Sequence, residues 1–559
     1  MIAADLYLFE RKEYFMKLNY KRTILVGFAF FLISAFWQAY DAIVPLILTN
    51  HYGLAQDWSG FVMSLDNILA LFMLPLFGAL SDRICTKWGK RTPFVFIGTV
   101  LAVVAFVCLT FVDNPQLDRV ENIEVEMNYE SADDLKNTVD NLYEYLDEDK
   151  KDLVKIFADE AEALDELYDA DRIPAQYDAA DKFRDATYSL VKYAKNTSDN
   201  DLEKIAADQL KILDDLFEEI EDSTFAITKN NVGGLVGFAV VLLLVLIAMA
   251  TFRSPAVALM PDVTVKPLRS KGNAIINLMG TAGGIIVLVF GIVFSTKQIY
   301  MSYSWYVVAV CLVMVGGLAA FISTVKENQW AQDMIDDTKK YGIVEESEKN
   351  DGSRKLSRGE LVSLCLILAS VALWYIGYNS ITSKYSVYAT RELGFDYNLT
   401  LIIAQAAAVV SYIPIGIVSS KIGRKKAILS GIVMLTAAFV IGHFITPLTP
   451  EFVMYPIFVL AGIGWATINV NSFPMVVELA RGGDVGKYTG YYYTASMAAQ
   501  VVAPIVSGRL YEVIGMRSVF FVFGAIFVAL SFATMFFVKH GDSKPETVSV
   551  LESLAGADD

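Results

Sequence analysis

Twelve stretches of the chain are long, apolar and almost free of charge, and short polar loops separate most of them. They run over residues 23–49, 59–80, 93–112, 232–252, 272–296, 303–324, 360–388, 398–419, 427–446, 452–475, 488–508 and 518–538. A helix of roughly 20 apolar residues crosses the hydrocarbon core of a bilayer. The pattern therefore predicts an all-α membrane protein of twelve transmembrane helices. The first stretch follows a charged leader of 22 residues and is too long for the apolar part of a cleavable signal, so it reads as a spanning helix.

Lysine and arginine set the orientation, because cytoplasmic loops are enriched in them. The loops after helices 2, 4 and 8 hold twelve: Arg83, Lys87, Lys90, Arg91, Arg253, Lys266, Arg269, Lys271, Lys421, Arg424, Lys425 and Lys426. The short loops on the other side hold four, Lys297, Arg391, Arg509 and Arg517. Both termini are then expected in the cytoplasm, and a plasma-membrane, multi-pass location follows.

One segment breaks the pattern. Residues 113–230 contain 34 acids and 13 bases, a net of −21 within a chain of net −16, so the rest carries +5. Leu135, Val139, Leu142 and Leu146 are spaced four, three and four apart, and Ile205, Leu210, Ile212 and Leu216 continue the theme. Such spacing predicts amphipathic helices, here a small acidic bundle of three or four outside the cytoplasm. The expected organisation is a cytoplasmic segment (1–22), helices 1–3 (23–112), the acidic insert (113–230), helices 4–6 (231–324), a cytoplasmic linker (325–359), helices 7–12 (360–538) and a cytoplasmic tail (539–559).

Composition agrees with lipid as solvent: 55% of residues are hydrophobic, 19% are charged, and the mean hydropathy is +0.44. The basic residues are scattered over short loops, which argues against nucleic-acid binding. Cys85, Cys108, Cys311 and Cys365 are far apart and in or beside apolar runs, so they read as core residues rather than a disulfide or metal set. His51, His443 and His540 show no metal or triad spacing, and no GxxxxGK[ST] loop is present. The sequence therefore supports neither an enzyme nor ATP-driven pumping, and it calls for no cofactor and no metal. Asn196-Thr-Ser matches a glycosylation sequon.

The two six-helix halves share a trace of repetition. Gly78-Ala-Leu-Ser-Asp82-Arg83 and Gly89-Lys90-Arg91 follow helix 2; Gly416-Ile-Val-Ser-Ser-Lys421 and Gly423-Arg424-Lys425 follow helix 8. A basic, glycine-punctuated loop at the same point of each half is the mark of a duplicated transporter. The first loop, with five residues between Asp82-Arg83 and Gly89 and a close on Pro93-Phe94, resembles the major facilitator superfamily and within it the glycoside-pentoside-hexuronide and sucrose transporter branch. Arg253-Ser-Pro-Ala-Val-Ala-Leu-Met-Pro-Asp262 with Gly272-Asn273, and Gly490-Tyr491 through Ser496, Gln500, Pro504 and Gly508, are similar to segments of the same branch. The resemblance implies the major facilitator fold and sugar transport, and it covers both halves but not the insert. Where melibiose-type carriers place two sodium-binding carboxylates on helix 2, this chain has Leu74 and Ala70, which cannot ligate a hard cation. Where sucrose transporters carry a helix-4 acid it has Leu242, and Ser420 stands in place of the second loop aspartate.

An ionisable residue inside a membrane helix usually has a partner or a task. Asp41 lies on a polar stripe with Ser34, Gln38 and Pro45, and Asp66 adjoins Asn67 on helix 2. Asp41, Asp66 and Arg253 are the candidates for proton coupling, although Asp41 paired to Lys384, Asp66 bridging helices, Lys384 reaching the outer interface and Arg253 as a loop anchor are the plainer alternatives. A sugar asks for hydroxyl partners and flat rings. Candidates are Gln38, Asp41, Asn67, Asn273, Asn277, Asn379, Gln405, Asn469 and Gln500 for the first, and Trp37, Trp374, Tyr378, Trp465 and Tyr492 for the second. Gly78, Asp82, Arg83, Gly89, Lys90, Arg91, Gly416, Gly423 and Arg424 are the expected gating loops. The leading expectation is a proton-coupled symporter of sucrose or a related disaccharide or glycoside, with a sugar, a coupling proton and the lipid bilayer as partners. The alternatives are a carrier or exporter of a non-sugar solute, and a non-transporting receptor whose insert binds an unknown extracytoplasmic partner.

Overall fold

A computed structural model of the protein describes residues 18–125, 129–142, 151–265, 268–340, 357–477, 479 and 485–541. Among these, ten helices are long and apolar enough to cross a membrane, and no β-strand occurs beyond a single bridge between Thr86 and Gly89. The first half is built from α1 (Tyr20–Leu46), α2 (Gln56–Arg83) and α3 (Thr92–Asn122). Four helices then follow, α4 (Glu130–Leu142), α5 (Lys151–Asp169), α6 (Ile173–Thr197) and α7 (Asn200–Asn230). The half is completed by α8 (Val232–Val263), α9 (Arg269–Val293) and α10 (Ser304–Thr324). A polar helix, α11 (Glu327–Lys340), leads on from it. The second half holds α12 (Arg358–Thr382), α13 (Tyr397–Ile422), α14 (Arg424–His443), α15 (Met454–Val477), α16 (Val485–Ile514) and α17 (Met516–Phe536). α13 carries a shorter apolar stretch, Tyr397–Tyr412, and α16 is diluted by Tyr488, Gln500, Arg509 and Glu512.

Local chemistry starts these helices where they start. Asn19 accepts from the Arg22 amide at 3.1 Å, Asp396 from Asn398 at 2.9 Å, and Ser357 and Glu360 form a reciprocal capping box. α3 is capped from elsewhere in the chain. Glu327 accepts the backbone amides of Lys90, Arg91 and Thr92 at 2.6, 2.9 and 2.8 Å, and the Thr92 hydroxyl at 2.7 Å. A carboxylate there satisfies otherwise unpaired amides and faces the positive end of the helix dipole. α11 is further tied to the first half by Arg22, which pairs with Asp333 at 2.6 Å and lies over Trp330.

Within the first half α1 packs on α9 and α10, and α3 on α8; in the second, α14 packs on α15 and α17, and α12 on α16 and α17. The halves meet mainly along α2 with α16 and α9 with α13.

The first helix of each half ends in the same unusual way. α1 continues into a π-helix, Ile47–His51; beyond α12, a single turn Tyr385–Val387 leads into a second π-helix, Tyr388–Glu392. The sequences Thr49-Asn-His-Tyr-Gly53-Leu54 and Thr390-Arg-Glu-Leu-Gly394-Phe395 align with their threonine and glycine in common. Each threonine hydroxyl bonds the carbonyl four residues back, Pro45 or Ser386, at 2.8 Å. Each glycine has positive φ, 61° and 69°, and the next amide closes the turn on Leu48 or Ala389, at 2.9 and 2.8 Å. The predicted spans 23–49 and 360–388 change accordingly. The first runs on to His51. The seventh stops at Thr382, because the apolar residues beyond it pack on α1 and α17 instead of continuing the helix.

The segment between α3 and α8 is a four-helix bundle with its own cores. Leu135, Val139 and Leu142 are buried, as their spacing predicts, and Leu146 lies outside the described residues. On α7 the buried face is Leu202, Ala206, Gln209, Leu213, Leu216 and Ile220. Ile205, Leu210 and Ile212 only flank it, because the i, i+4, i+7 register that starts at Leu202 passes them by.

Candidate functional site

From Phe31 to Leu54 nearly every residue of the first helix and its π-helical end is buried, with Ser34, Trp37, Gln38 and Asp41 the exceptions. Their spacing of three, one and three puts them on one helix face. Asp41 is exposed although Tyr40 and Ala42 beside it are 0% and 1% accessible. The face looks into the space between the halves: Gln405 of α13 donates to Gln38 Oε1 at 2.6 Å. The wet stripe stops at Asp41. Pro45, the last member of the predicted stripe, is buried, as are all residues 42–54.

Arg253 of α8 and Asp66 of α2 converge on the same face. The guanidinium of Arg253 lies over the Trp37 ring, 5.4 Å from its centroid, a cation–π arrangement. Asp66 is half-buried and accepts from Asn67 Nδ2 at 2.8 Å. Asp41, Asp66 and Arg253 lie within electrostatic reach of one another. Two carboxylates and one cation, at the inner face of three helices, thus form one charged cluster facing the space between halves.

Across that space the second half contributes aromatic and amide groups. Tyr378 and Trp465 stack face to face, centroids 3.6 Å apart and planes 3° from parallel, with Tyr375 edge-on to Trp465. Asn379 is half-buried and donates to the Tyr375 carbonyl at 2.9 Å; Gln500 is also half-buried. Trp374 and Tyr492 are closed off, at 0% and 1% accessibility, and Tyr492 shares a hydrogen bond with Ser472 at 2.9 Å. Asn277 and Asn469 are buried, with both amide atoms of Asn277 and Oδ1 of Asn469 lacking a hydrogen-bond partner, as does Nε1 of Trp37. The side chain of Asn273 lies outside the described residues.

Lys384 does not pair with Asp41. It is fully buried and donates across the halves to Gln56 Oε1 at 3.0 Å.

Among the described residues, the glycine-punctuated loop after α2 makes its contacts within the first half and with α11. Arg91 bonds Asp82 at 2.5 Å and Asp262 at 2.8 Å, and also meets Ser81. Burial alone would lower the Arg91 pKa, but the bonds to Asp262 and Asp82 more than offset it, and the group stays above its ordinary value. Gly89, at φ 122°, brings its backbone against Glu327. Arg83 and Lys90 are exposed. In the second half Gly423 (φ 92°) opens α14, and the Gly416 carbonyl accepts from Ser419 at 3.1 Å; Arg424 is half-buried.

Among the described residues, inter-half polar contacts cluster instead at the end that bears α4–α7, which sequence reasoning had not identified. The Gln56 amide donates to Glu512 at 2.7 Å, and Arg509 pairs with Asp57 at 3.1 Å. Arg391 donates to Asn50 Oδ1 at 2.5 Å and to the Thr49 carbonyl at 3.1 Å. Gly60 meets the Pro504 carbonyl, and Gly508 the Gln56 carbonyl, too closely for a Cβ. The repeated Thr-x-x-x-Gly was the available signal for this site.

Comparison with known proteins gives consistent results. The family described as Major Facilitator Superfamily matches residues 223–481 and 375–554, and that described as MFS/sugar transport protein matches residues 25–120. Among curated proteins, the MFS-type transporter ppzB of Metarhizium rileyi is 29% identical over 127 residues, which span 23% of this chain and 26% of that protein. Among solved structures, the inward open xylose transporter XylE from E. coli superposes with a TM-score of 0.57 at 11% identity, covering 96% of this chain and 99% of that one. A D-xylose-proton symporter gives 0.53 at 12% identity over 94% and 99%. A POT family transporter in complex with a thioalcohol conjugated peptide gives 0.52 at 10% identity over 92% and 95%. At such identities the likeness is one of fold.

Proposed function

This chain belongs to the Major Facilitator Superfamily, and we propose that it is a proton-coupled sugar symporter working by alternating access. Membership makes it a multi-pass membrane transporter, not a member of an enzyme class. The finer reading completes the ten apolar helices with α13 and α16, giving twelve spans in two halves. Basic loops lie on the cytoplasmic side, and both termini are there in a plasma-membrane protein. The helices of residues 130–230 lie outside the cell.

The observation that carries the reading is the stripe of Ser34, Trp37, Gln38 and Asp41, wet in the middle of an otherwise buried helix and facing a second half that offers stacked rings. Hydroxyls of a neutral sugar find partners in Gln38, Gln405 and the unpaired Asn277, Asn469 and Trp37 groups. Its apolar ring face suits the Tyr378–Trp465 stack. Asp41 and Asp66 supply carboxylates that take up and release the coupling proton, with the Arg253 guanidinium as the cation beside them. The MFS/sugar transport protein match over residues 25–120, which includes α1 and α2, supports a sugar as cargo.

Uptake by proteoliposomes tests the reading. Radiolabelled sucrose, maltose and xylose are offered under an imposed inward proton gradient and then a sodium gradient. Uncoupler-sensitive accumulation under the proton gradient is expected, and Asp41→Asn or Asp66→Asn abolishes it while sugar exchange at zero gradient persists. Proton-driven accumulation that survives both substitutions would remove the coupling role; no uptake of any sugar would turn the search to non-sugar solutes.

A further inference from the structure

Arg391 is 6% accessible, and three parts of the chain converge on it. One is the first π-helix, through Asn50 and the Thr49 carbonyl, as given above. The other two are helices of the insert. Glu221 of α7 forms an ion pair with the Arg391 guanidinium, and Arg184 of α6, itself 8% accessible, donates to the Arg391 carbonyl at 2.6 Å. A second insert contact reaches the same half where Arg517 lies over the Tyr188 ring, 5.1 Å from its centroid.

The insert is rooted in the opposite half. It emerges from α3 and returns into α8, and the root is stitched down. Gln116 donates to the His51 carbonyl at 3.0 Å and to Thr228 at 2.9 Å, and Thr228 donates to the Tyr52 carbonyl at 2.9 Å. His51 is held to Asp113 of α3 at 2.9 Å. Gly53 sits so close to the α7 backbone that an added Cβ would lie 2.5 Å from the Phe225 nitrogen. When the halves part at this end, the insert stays with the first, and its bonds to Arg391 and Arg517 are the ones that break.

We propose that the 130–230 bundle is a clamp: it rides on the first half and holds the insert end shut through the ion pair between half-buried Glu221 and buried Arg391, so that releasing Arg391 is a required step of opening. A buried arginine without its carboxylate is strongly unfavourable, so the closed state depends on Glu221 more than on the neutral Asn50 bond. The proposal rests on the transporter reading only in that two halves move, and its test needs no sugar, so its failure and the failure of the sugar reading are separable.

The experiment is a distance measurement between spin labels on full-length protein in lipid. Trp58 and Val513, 62% and 64% accessible, stand near this end on α2 and α16, and each is replaced by cysteine after Cys85, Cys108, Cys311 and Cys365 are changed to serine or alanine. Glu221→Gln is expected to raise the ratio of long to short distances by about tenfold or more, the weight of a charge-assisted bond. Arg184→Gln acts in the same direction, and the double variant gains less than the product of the two, because both act through Arg391. Tyr188→Leu gives a smaller shift. An unchanged distribution in both Glu221→Gln and Arg184→Gln overturns the clamp. Should Glu221→Gln fail to fold, Arg184→Gln alone decides: a shift supports the clamp and none refutes it.

Discussion

Asn50 and Arg391 occupy equivalent positions in the two halves, 341 residues apart, and bond to each other at 2.5 Å. Their backbones are near copies: π-helix, threonine hydroxyl folded back four residues, glycine in the left-handed region. Only the side chains differ, and the difference is what lets the two positions join. Two arginines would repel and two asparagines would make a weaker, neutral pair. A duplicated scaffold thus meets itself near its pseudo-symmetry axis through one broken equivalence, and the leftover charge of Arg391 is neutralised by Glu221 from a segment found in only one half.

The glycines of the repeat test how far the equivalence extends. Gly394→Ala meets nothing within 4 Å, so its cost is left-handed strain alone, about 1 kcal/mol. Gly53→Ala carries the same strain and also drives a Cβ into the Phe225 nitrogen and, at 2.8 Å, the Glu221 carbonyl. Thermal unfolding in detergent should show the larger loss for Gly53→Ala, with faster amide exchange over residues 221–228 in that variant alone. Equal effects at both glycines would mean that the insert does not bear on Gly53.

Much of this was legible in the sequence. Bilayer thickness writes itself into the chain as apolar runs, so the helices of both halves were visible, and the polar stripe on α1 could be counted off at helical spacing. The insert helices followed from Leu135, Val139 and Leu142. What escaped were relations between distant side chains. Nothing local to Lys384 says that its ammonium goes to Gln56 and not Asp41, and nothing local to Glu327 says that it caps α3. The π-helices were hidden because their residues are as apolar as the helices they extend. The repeat at Thr49 and Thr390 was readable only by aligning the ends of helices 1 and 7.

Glu327 offers a test of the remote cap. Glu327→Ala leaves the amides of Lys90, Arg91 and Thr92 unpaired at a buried helix start and should cost about 1–2 kcal/mol. Glu327→Gln keeps an acceptor but loses the charge opposite the helix dipole, and should cost less. The two are ranked by thermal unfolding, and substrate KM is expected to hold in both. A KM increase with unchanged stability would assign Glu327 to the site instead.

Trp465 separates stacking from mere apolarity. Trp465→Phe keeps a ring against Tyr378, whereas Trp465→Leu keeps bulk without a π-face. If the stack is the sugar platform, Leu should raise KM by about 2- to 10-fold, the weight of an aromatic contact, and Phe by less. Matching KM values for the two variants would assign the stack to packing between α12 and α15.

Glu160 makes the insert's stability depend on pH. It is 0% accessible in the heart of the four-helix bundle. Burial pushes its carboxyl from 4.5 up to about 8, against smaller opposing effects of hydrogen bonds from Gln209 and Thr187. The folded insert therefore keeps this proton to about pH 8, while the unfolded segment releases it near 4.5. Between those values the folded state binds more protons, so stability falls as pH rises and levels off above pH 8. Glu160→Gln keeps the shape and removes the dependence. Its insert should match the wild type near pH 4.5 and be increasingly the more stable as pH rises to about 8. Amide hydrogen exchange over residues 151–227, compared between the two proteins at pH 5 and pH 8.5, reads this directly. A protection gain that is the same at both pH values would show that Glu160 is ionised in the folded insert throughout.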